Sequence, residues 1–205
     1  IPQLTHRWTV HYFDLVGYGL SEKRDGQDVS LGVQNRVLAA LLEEWGLQRP
    51  HVLAHDFGGA TALRGYFLNG LRYASLTIFD AVALAPWGSP FVQHVREHEA
   101  AFSGMPAYMH EAMLRAYLQT AAHQPLSEEA LEVYAAPWRG PVGQPAFYRQ
   151  IAQMDQRFTD EVTGTSEIGV FGRGSSEQID VFPGHPLDNE LSANVVDLCP
   201  VGALL

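Results

Sequence analysis

The sequence predicts an α/β fold with a short parallel sheet, followed by a helical segment and an irregular tail. In residues 1–86, strand-like apolar runs alternate with helix-like segments, and this alternation is typical of a parallel sheet. Residues 87–157 show only the helical spacing of apolar residues. In residues 158–205, glycine and proline recur and interrupt any regular helix or strand pattern. These three observations define the predicted architecture.

The composition narrows the functional class. The 205 residues are enough for one domain with a substantial core, and 46% hydrophobic with 18% charged residues is ordinary for a globular protein. A net charge of −10 disfavours nucleic-acid partners, since those require clustered lysine and arginine. No apolar run is long enough for membrane insertion.

One cysteine, Cys199, fits a reducing, cytoplasmic compartment. Because the chain starts at Ile1 without methionine, we expect a fragment.

The first predicted elements are a strand, a turn and a helix. Residues 8–14 are predicted to form a buried strand, and residues 14–21 spell a D-x-x-G-x-G-x-S turn. Asp28 or Ser30 can cap the helix that follows, which carries one apolar stripe suited to packing on a sheet. Gly46 is the predicted stop signal of this helix.

The most informative segment follows the short strand predicted at residues 50–55. Asp56 stands there with small residues two positions away on either side, Ala54 and Gly58. Small-x-nucleophile-x-small between a strand and a helix is the nucleophile elbow, here with aspartate. Small residues are expected because the sharp turn brings the strand end close to the helix start. The turn exposes the Asp56 carboxylate, and the backbone N–H of Phe57 becomes an oxyanion donor. In the alternative interpretation, Asp56 merely caps the next helix.

A further strand and several helices complete this part of the chain. Residues 74–81 are predicted to form the next core strand, with Asp80 at or near its end. The helices predicted after Trp87 lie at about 91–102, 106–121, 127–136 and 144–156.

Together these motifs resemble the α/β-hydrolase superfamily, specifically its aspartate-nucleophile branch of haloalkane dehalogenase-like and epoxide hydrolase-like enzymes. The resemblance covers about residues 1–160. It implies a truncated α/β-hydrolase parallel sheet in a partial core, residues 1–86, with a helical cap at residues 87–157. It also implies an aspartyl-ester mechanism on small halide, epoxide or ester-like substrates.

The resemblance also assigns roles to residues of the site. Asp56 is the expected nucleophile, and Asp80 is a possible acid that would orient a histidine, although it could equally cap or form a salt bridge. Dehalogenases commonly carry a tryptophan where Phe57 stands, and its indole N–H binds the halide. Phenylalanine has no such N–H donor, so epoxides and ester-like compounds remain alternative substrates. The expected pocket residues, each of which could instead serve only in packing, are His55, Trp87, Tyr108, Tyr117, Trp138 and Tyr148.

The family's catalytic histidine has no counterpart in this sequence. In the resembling enzymes that histidine follows the last core strand and activates water, whereas none of the nine histidines stands there. The loop that supplies the second oxyanion donor would precede residue 1. We therefore expect a hydrolase by descent that is inactive, so that the enzyme assignment stays open.

The tail resembles a different family. Residues 167–174, 184–192 and 194–204 resemble the iron–sulfur subunit designated G of the respiratory NADH dehydrogenase (NADH-quinone oxidoreductase). Cys199 takes the place of the last of four thiolate ligands to a [4Fe–4S] cluster, and the three preceding cysteines are replaced. We therefore expect a vestigial ligand position and no cofactor, unless three further cysteines come from elsewhere. We expect partners in a respiratory complex only if this interpretation of the tail is correct. The alternatives left open are an electron-transfer fragment of that iron–sulfur protein and a non-catalytic chimera.

Overall fold

A computed structural model gives the fold. The structure describes residues 2–83, 88–163, 168–171 and 178–181. Trp87 and Cys199 lie outside the described residues. The chain divides into two compact units, which are Ile1–Val29 with His98–Ile151 and Ser30–Glu97 with Ala152–Leu205.

The described elements alternate as the sequence predicts over the first part of the chain and then become helical. The helices are α1 Leu31–Glu44, α2 Asp56–Leu68, α3 Pro90–Ser103, α4 Ala107–Gln119, α5 Glu128–Ala135, a 3-10 helix Ala136–Trp138, α6 Gly140–Ala152 and α7 Arg157–Thr163. The strands are β1 His51–His55, β2 Ser75–Phe79, β3 Ile168–Phe171 and β4 Gln178–Val181.

The parallel sheet lies in the unit that contains residues 30–97. Strands β1 and β2 pair in parallel, in a register that places His51 opposite Ser75 and His55 opposite Phe79. Ala54 is buried on the inner face of β1, and helix α2 follows that strand directly. Helix α1 begins after Ser30, one of its two predicted caps, although the Ser30 side chain forms no capping hydrogen bond. The predicted short parallel sheet with covering helices is confirmed.

One predicted strand is wrong. Residues 8–14 are described without regular secondary structure. Two of the side chains expected to be buried there are exposed, Trp8 by 51% and Tyr12 by 74%. A strand exists through its hydrogen-bonded neighbour, and both described sheets consist of two strands drawn from other segments. Within the described part of the chain, neither sheet includes residues 8–14, so their apolar pattern does not form a strand there.

The glycine-rich turn that follows residue 14 forms as predicted. Gly17 and Gly19 adopt positive φ angles of 83° and 48°, a conformation that glycine adopts without a steric cost. The Asp14 carboxylate accepts a hydrogen bond from the backbone N–H of Leu20 at 2.8 Å. The Ser21 hydroxyl donates to the Asp14 carbonyl at 2.7 Å. The first and last residues of the motif therefore close the turn themselves.

The helices predicted at about 91–102, 106–121 and 127–136 are confirmed with shifts of one or two residues at their ends, whereas the one predicted at 144–156 forms four residues earlier, at Gly140–Ala152. Helix α5 shows how the sequence fixes a helix start: the Ser127 side chain accepts from the N–H of Ala130 at 3.2 Å. Glu128 and Glu129 follow in the first turn, where carboxylates interact favourably with the helix dipole. In the tail, which the sequence predicts to be irregular, β3 pairs antiparallel with β4.

Candidate functional site

The candidate nucleophile lies at a strained turn between β1 and α2. Asp56 has a φ of 49°, which for a residue with a side chain costs on the order of 1–3 kcal/mol. Its side chain is exposed. His55, not Asp56, occupies the N-cap position of α2. The strained strand-to-helix turn is thus confirmed, and a plain N-cap does not describe Asp56.

The two oxygens of the Asp56 carboxylate have different surroundings. The backbone N–H of Phe57, the predicted oxyanion donor, donates to Oδ1 of Asp56 at 2.6 Å. Among the described residues no hydrogen bond reaches Oδ2. The backbone therefore holds one of the two carboxylate oxygens.

The close approach at the elbow lies one residue beyond the predicted position. A Cβ added to Gly58 would meet nothing within 4 Å among the described residues. A Cβ added to Gly59 would lie 2.5 Å from the Cβ of Ala81 and 3.2 Å from a methyl group of Ile78. The start of α2 therefore packs against the end of β2 and the residues after it, because Gly59 faces that strand and Gly58 does not.

Asp80 shares the sheet edge with Asp56. It follows β2 directly, and its φ of 48° makes it, with Asp56, one of the two non-glycine residues in the described part of the chain with a positive φ. Because His55 pairs with Phe79, both aspartates follow paired residues, on strands about 4.8 Å apart. The structure thus brings the predicted nucleophile and the predicted acid to one edge.

His55 lies on the exposed face of the sheet. Its ring stacks on that of Phe79, with centroids 4.6 Å apart and planes inclined by 25°. This cross-strand pair links the last residues of β1 and β2, immediately before the two strained aspartates, so that His55 is positioned to hold the elbow's strands together.

The other unit contains four of the predicted pocket residues, and three of them contact one ring. Tyr117, Trp138 and Tyr148 each pack edge-to-face against Phe147, at centroid distances of 5.8, 5.6 and 5.1 Å. Tyr108 is 74% exposed. Phe147 was not among the predicted residues, although its place beside Tyr148 in a buried helix stripe could have indicated a core position.

Tyr148 belongs to a buried hydrogen-bonded chain. Its side chain is fully buried, and burial raises the pKa of its hydroxyl to about 12. The Nε2 of His110 lies 2.8 Å from the Trp138 carbonyl and its Nδ1 lies 2.9 Å from the Tyr148 hydroxyl. Since a carbonyl only accepts, Nε2 donates to Trp138, and in the tautomer that carries its proton on Nε2 the Tyr148 hydroxyl donates to Nδ1. The Tyr148 proton is therefore engaged inside the unit.

Trp138 is held by the glycine-rich turn. The Tyr18 ring packs edge-on against it at 5.9 Å, and the Lys23 ammonium lies 5.3 Å from its ring centre. Lys23 also donates to the Gly19 and Ser21 carbonyls. Desolvation lowers the pKa of Lys23, against the opposing charge of Asp14. Trp138 is 8% exposed, so its ring is mainly a packing surface in this unit.

The fold and the turn define the class of the protein: an α/β protein with a strained aspartate between a parallel strand and the helix that follows it. Residues 1–122 match the family described as alpha/beta hydrolase fold. The chain belongs to that family.

Solved structures support the same assignment. An alpha/beta hydrolase fold protein from Burkholderia ambifaria is 56% identical, with a TM-score of 0.72 over 75% of this chain and 57% of that one. The haloalkane dehalogenase DatA from Agrobacterium tumefaciens C58 is 22% identical, with a TM-score of 0.54 over 75% and 57% of the two chains. The epoxide hydrolase CorEH is 21% identical with a TM-score of 0.54. At these lower identities the likeness shows the fold alone.

The tail matches a second family. Residues 156–205 match the ferredoxin-like domain of NADH-quinone oxidoreductase subunit 3. The NADH dehydrogenase iron-sulfur protein 1 of Solanum tuberosum is 50% identical over 48 residues, which are 23% of this chain and 6% of that protein. In Rickettsia typhi, the NADH-quinone oxidoreductase subunit designated G is 42% identical over 48 residues. The chain thus spans 57% of the Burkholderia protein and only a small part of the respiratory proteins.

Within the part of the chain that the structure describes, no helix has both the length and the apolar composition needed to cross a bilayer.

Proposed function

We propose that the chain is a hydrolase by descent whose Asp56 attacks small halide, epoxide or ester-like substrates and forms an aspartyl ester. One observation carries the proposal: an exposed aspartate at φ 49° stands between a parallel strand and the helix that follows it. A strained conformation of this kind persists only where the surrounding fold enforces it, and such strain concentrates at functional sites.

In the first step, Oδ2 of Asp56 attacks the saturated carbon that bears the leaving group; in an ester-like substrate this is the alkyl carbon, since attack on the acyl carbon would give an anhydride. The bond from that carbon to the leaving group breaks, and the leaving group departs with the electron pair. The Phe57 N–H keeps Oδ1 oriented, so that Oδ1 becomes the carbonyl oxygen of the new ester. An epoxide oxygen additionally needs a proton from a donor.

In the second step, water adds to the ester carbon and the negative charge develops on Oδ1. The same Phe57 N–H would stabilise this oxyanion, a contribution of the kind worth roughly 10²–10³-fold in rate. The water must lose a proton to a base, and Asp80 would orient the histidine that accepts it. Because no histidine stands at the family's position, we propose that the 205-residue chain stalls at the ester.

The remaining site residues are assigned by the same proposal. His55 supports the elbow through its stacking on Phe79, and aromatic residues of the cap region shape the substrate pocket. These are Trp87, Tyr108, Tyr117, Trp138 and Tyr148, of which the buried Trp138 and Tyr148 act through packing. We further propose that the chain resides in the cytoplasm and acts on small molecules.

Intact-mass spectrometry after incubation with an activated alkyl bromide or an epoxide tests the proposal. We expect one adduct per chain, mapped to Asp56 by peptide sequencing. Asp56→Asn should abolish the adduct, and Asp80→Asn should retain it because Asp80 serves only the second step. Asparagine tolerates the left-handed conformation, so both variants preserve the backbone. Labelling that survives Asp56→Asn would refute the nucleophile, and sustained turnover would refute the stalled ester.

A second candidate function, electron transfer, is favoured by the match of the tail. The family to which the tail is similar implies an iron–sulfur cluster, and a [4Fe–4S] cluster needs four ligands, usually thiolates. The chain has one cysteine, Cys199, so its donor set does not fit the cluster. We therefore propose that this chain alone binds none. Reconstitution with iron and sulfide under reducing conditions tests this, since a stable brown absorbance with four irons per chain would contradict it.

A further inference from the structure

A buried arginine joins the nucleophile helix to the first helix of the tail. Arg64 of α2 is 4% exposed. Its guanidinium donates to the carbonyl of Phe158 and to Oε2 of Glu161, the latter at 2.8 Å. Both acceptors belong to α7, whose residues lie inside the segment that matches the respiratory family. The tail therefore begins as a packed element of the hydrolase unit.

Helix α1 completes the contact. Nε of Arg64 donates to Oδ1 of Asn35 at 2.9 Å, and the Asn35 amide donates to the side chain of Asn69, the C-cap residue of α2, at 2.6 Å. The Phe158 ring lies 5.0 Å from the guanidinium. It also covers Gly32, where an added Cβ would come within 2.9 Å of the ring. Three helices thus meet at one charged side chain.

The acceptors on α7 compensate the charge of the Arg64 guanidinium, which is buried. A buried guanidinium is tolerated when it is paired and hydrogen-bonded, and removal of one partner leaves an uncompensated buried charge. Glu161 is the carboxylate of the pair, and its side chain is 53% exposed. Substitution of Glu161 therefore weakens the contact without opening a large cavity.

The contact lies on the same rigid element as the nucleophile. Arg64 follows Asp56 along α2 by roughly 12 Å of helix rise. The start of that helix is packed against the end of β2 through Gly59 and Ala81, and its middle receives the Tyr73 hydroxyl, which donates to the Ala62 carbonyl at 2.9 Å. A helix fixed at its start, middle and end sets the orientation of the turn at Asp56.

We propose that Arg64 is a positioning residue for Asp56 and that α7 is the latch that holds it, through Phe158 and Glu161. On this proposal the hydrolase unit extends through α7, although the respiratory match already covers those residues. The proposal rests on the nucleophilic role of Asp56. It adds that the attack geometry depends on a helix about 100 residues away in sequence, because a displacement of about 1 Å at a reacting group can cost up to about 100-fold in rate.

Covalent labelling of the full chain by an alkyl bromide, followed at several probe concentrations, tests the latch. It separates the maximal labelling rate from the concentration that gives half of it. We expect Glu161→Ala to lower the maximal rate about tenfold while the half-saturating concentration stays within about twofold. Glu161→Gln keeps an acceptor oxygen, so its maximal labelling rate should lie between those of the wild type and Glu161→Ala. The control is Arg157→Gln on the same helix, whose side chain is 83% exposed and pairs with Asp155.

The outcomes separate the two proposals. An unlabelled wild-type chain would refute the nucleophile itself. A labelled wild type with an unchanged Glu161→Ala variant, verified as folded by circular dichroism, would refute the latch alone. A loss that also appears in Arg157→Gln, or that affects both labelling parameters equally, would mean general destabilisation and would likewise refute it. Arg64→Lys, which keeps the charge but not the fork of donors, should show the Glu161→Ala phenotype.

Discussion

Tyr148→Phe removes one oxygen atom from the buried chain around His110, and its cost can be worked out from the structure. The substitution leaves the ring packing intact but deprives Nδ1 of His110 of its 2.9 Å donor. His110 is 2% exposed and Tyr148 fully buried, so water does not replace the lost hydroxyl. A buried acceptor left without a partner costs about 1–3 kcal/mol, and we expect about 2 kcal/mol of destabilisation in the unit that contains Tyr148.

Urea unfolding followed by tryptophan fluorescence measures this change. We expect a lower midpoint with an unchanged slope, since the substitution alters stability and not the surface exposed on unfolding. The control is Tyr108→Phe on α4, whose ring is 74% exposed; its effect should stay within about 0.5 kcal/mol. If Tyr148→Phe were as mild as Tyr108→Phe, His110 would not accept from Tyr148, and the tautomer deduced above would be wrong.

Two further predictions concern the elbow and the helices after residue 87. Gly59→Ala places a methyl group 2.5 Å from the Cβ of Ala81 and should destabilise the chain by about 1–3 kcal/mol. A methyl group at Gly58 has no described atom within 4 Å, so Gly58→Ala should be neutral or stabilising by up to about 1 kcal/mol in thermal unfolding; equal effects would refute the packing described. The hydrogen bond from Arg139 lowers the pKa of Glu111. The stability from that pair is therefore complete above the ordinary glutamate pKa and lost as pH falls through the lowered value. The urea midpoints of wild type and Arg139→Gln should converge in acid, and a constant gap would contradict the assignment.

Local sequence signals were sufficient for most elements of the fold. The apolar stripe of α1, the helices after residue 87 and the two strands β1 and β2 follow from periodicities that depend only on neighbouring residues. The turn at Asp56 also follows from sequence, because a small-x-Asp-x-small pattern between a strand and a helix restricts the backbone to few conformations.

Other features depend on residues far away in the chain, and tertiary structure alone decided them. Residues 8–14 have the pattern of a strand, but a ladder needs a second strand that local sequence does not reveal. The pattern suggested crowding at Gly58, whereas the packing of α2 on β2 places it at Gly59.

The same distinction applies to the candidate site. Sequence identified Asp56, Phe57 and Asp80 as separate candidates, and the register of β1 with β2 brought the two aspartates to one edge. Arg64 carries no motif, and only its position beside Glu161 of α7 makes it a candidate positioning residue. The chain's own sequence thus determined which residue is the candidate nucleophile, since that depends on a local turn. Only the tertiary structure decided which residues pack around the helix that follows it, because buried hydrogen bonds and close packing join segments that sequence order keeps apart.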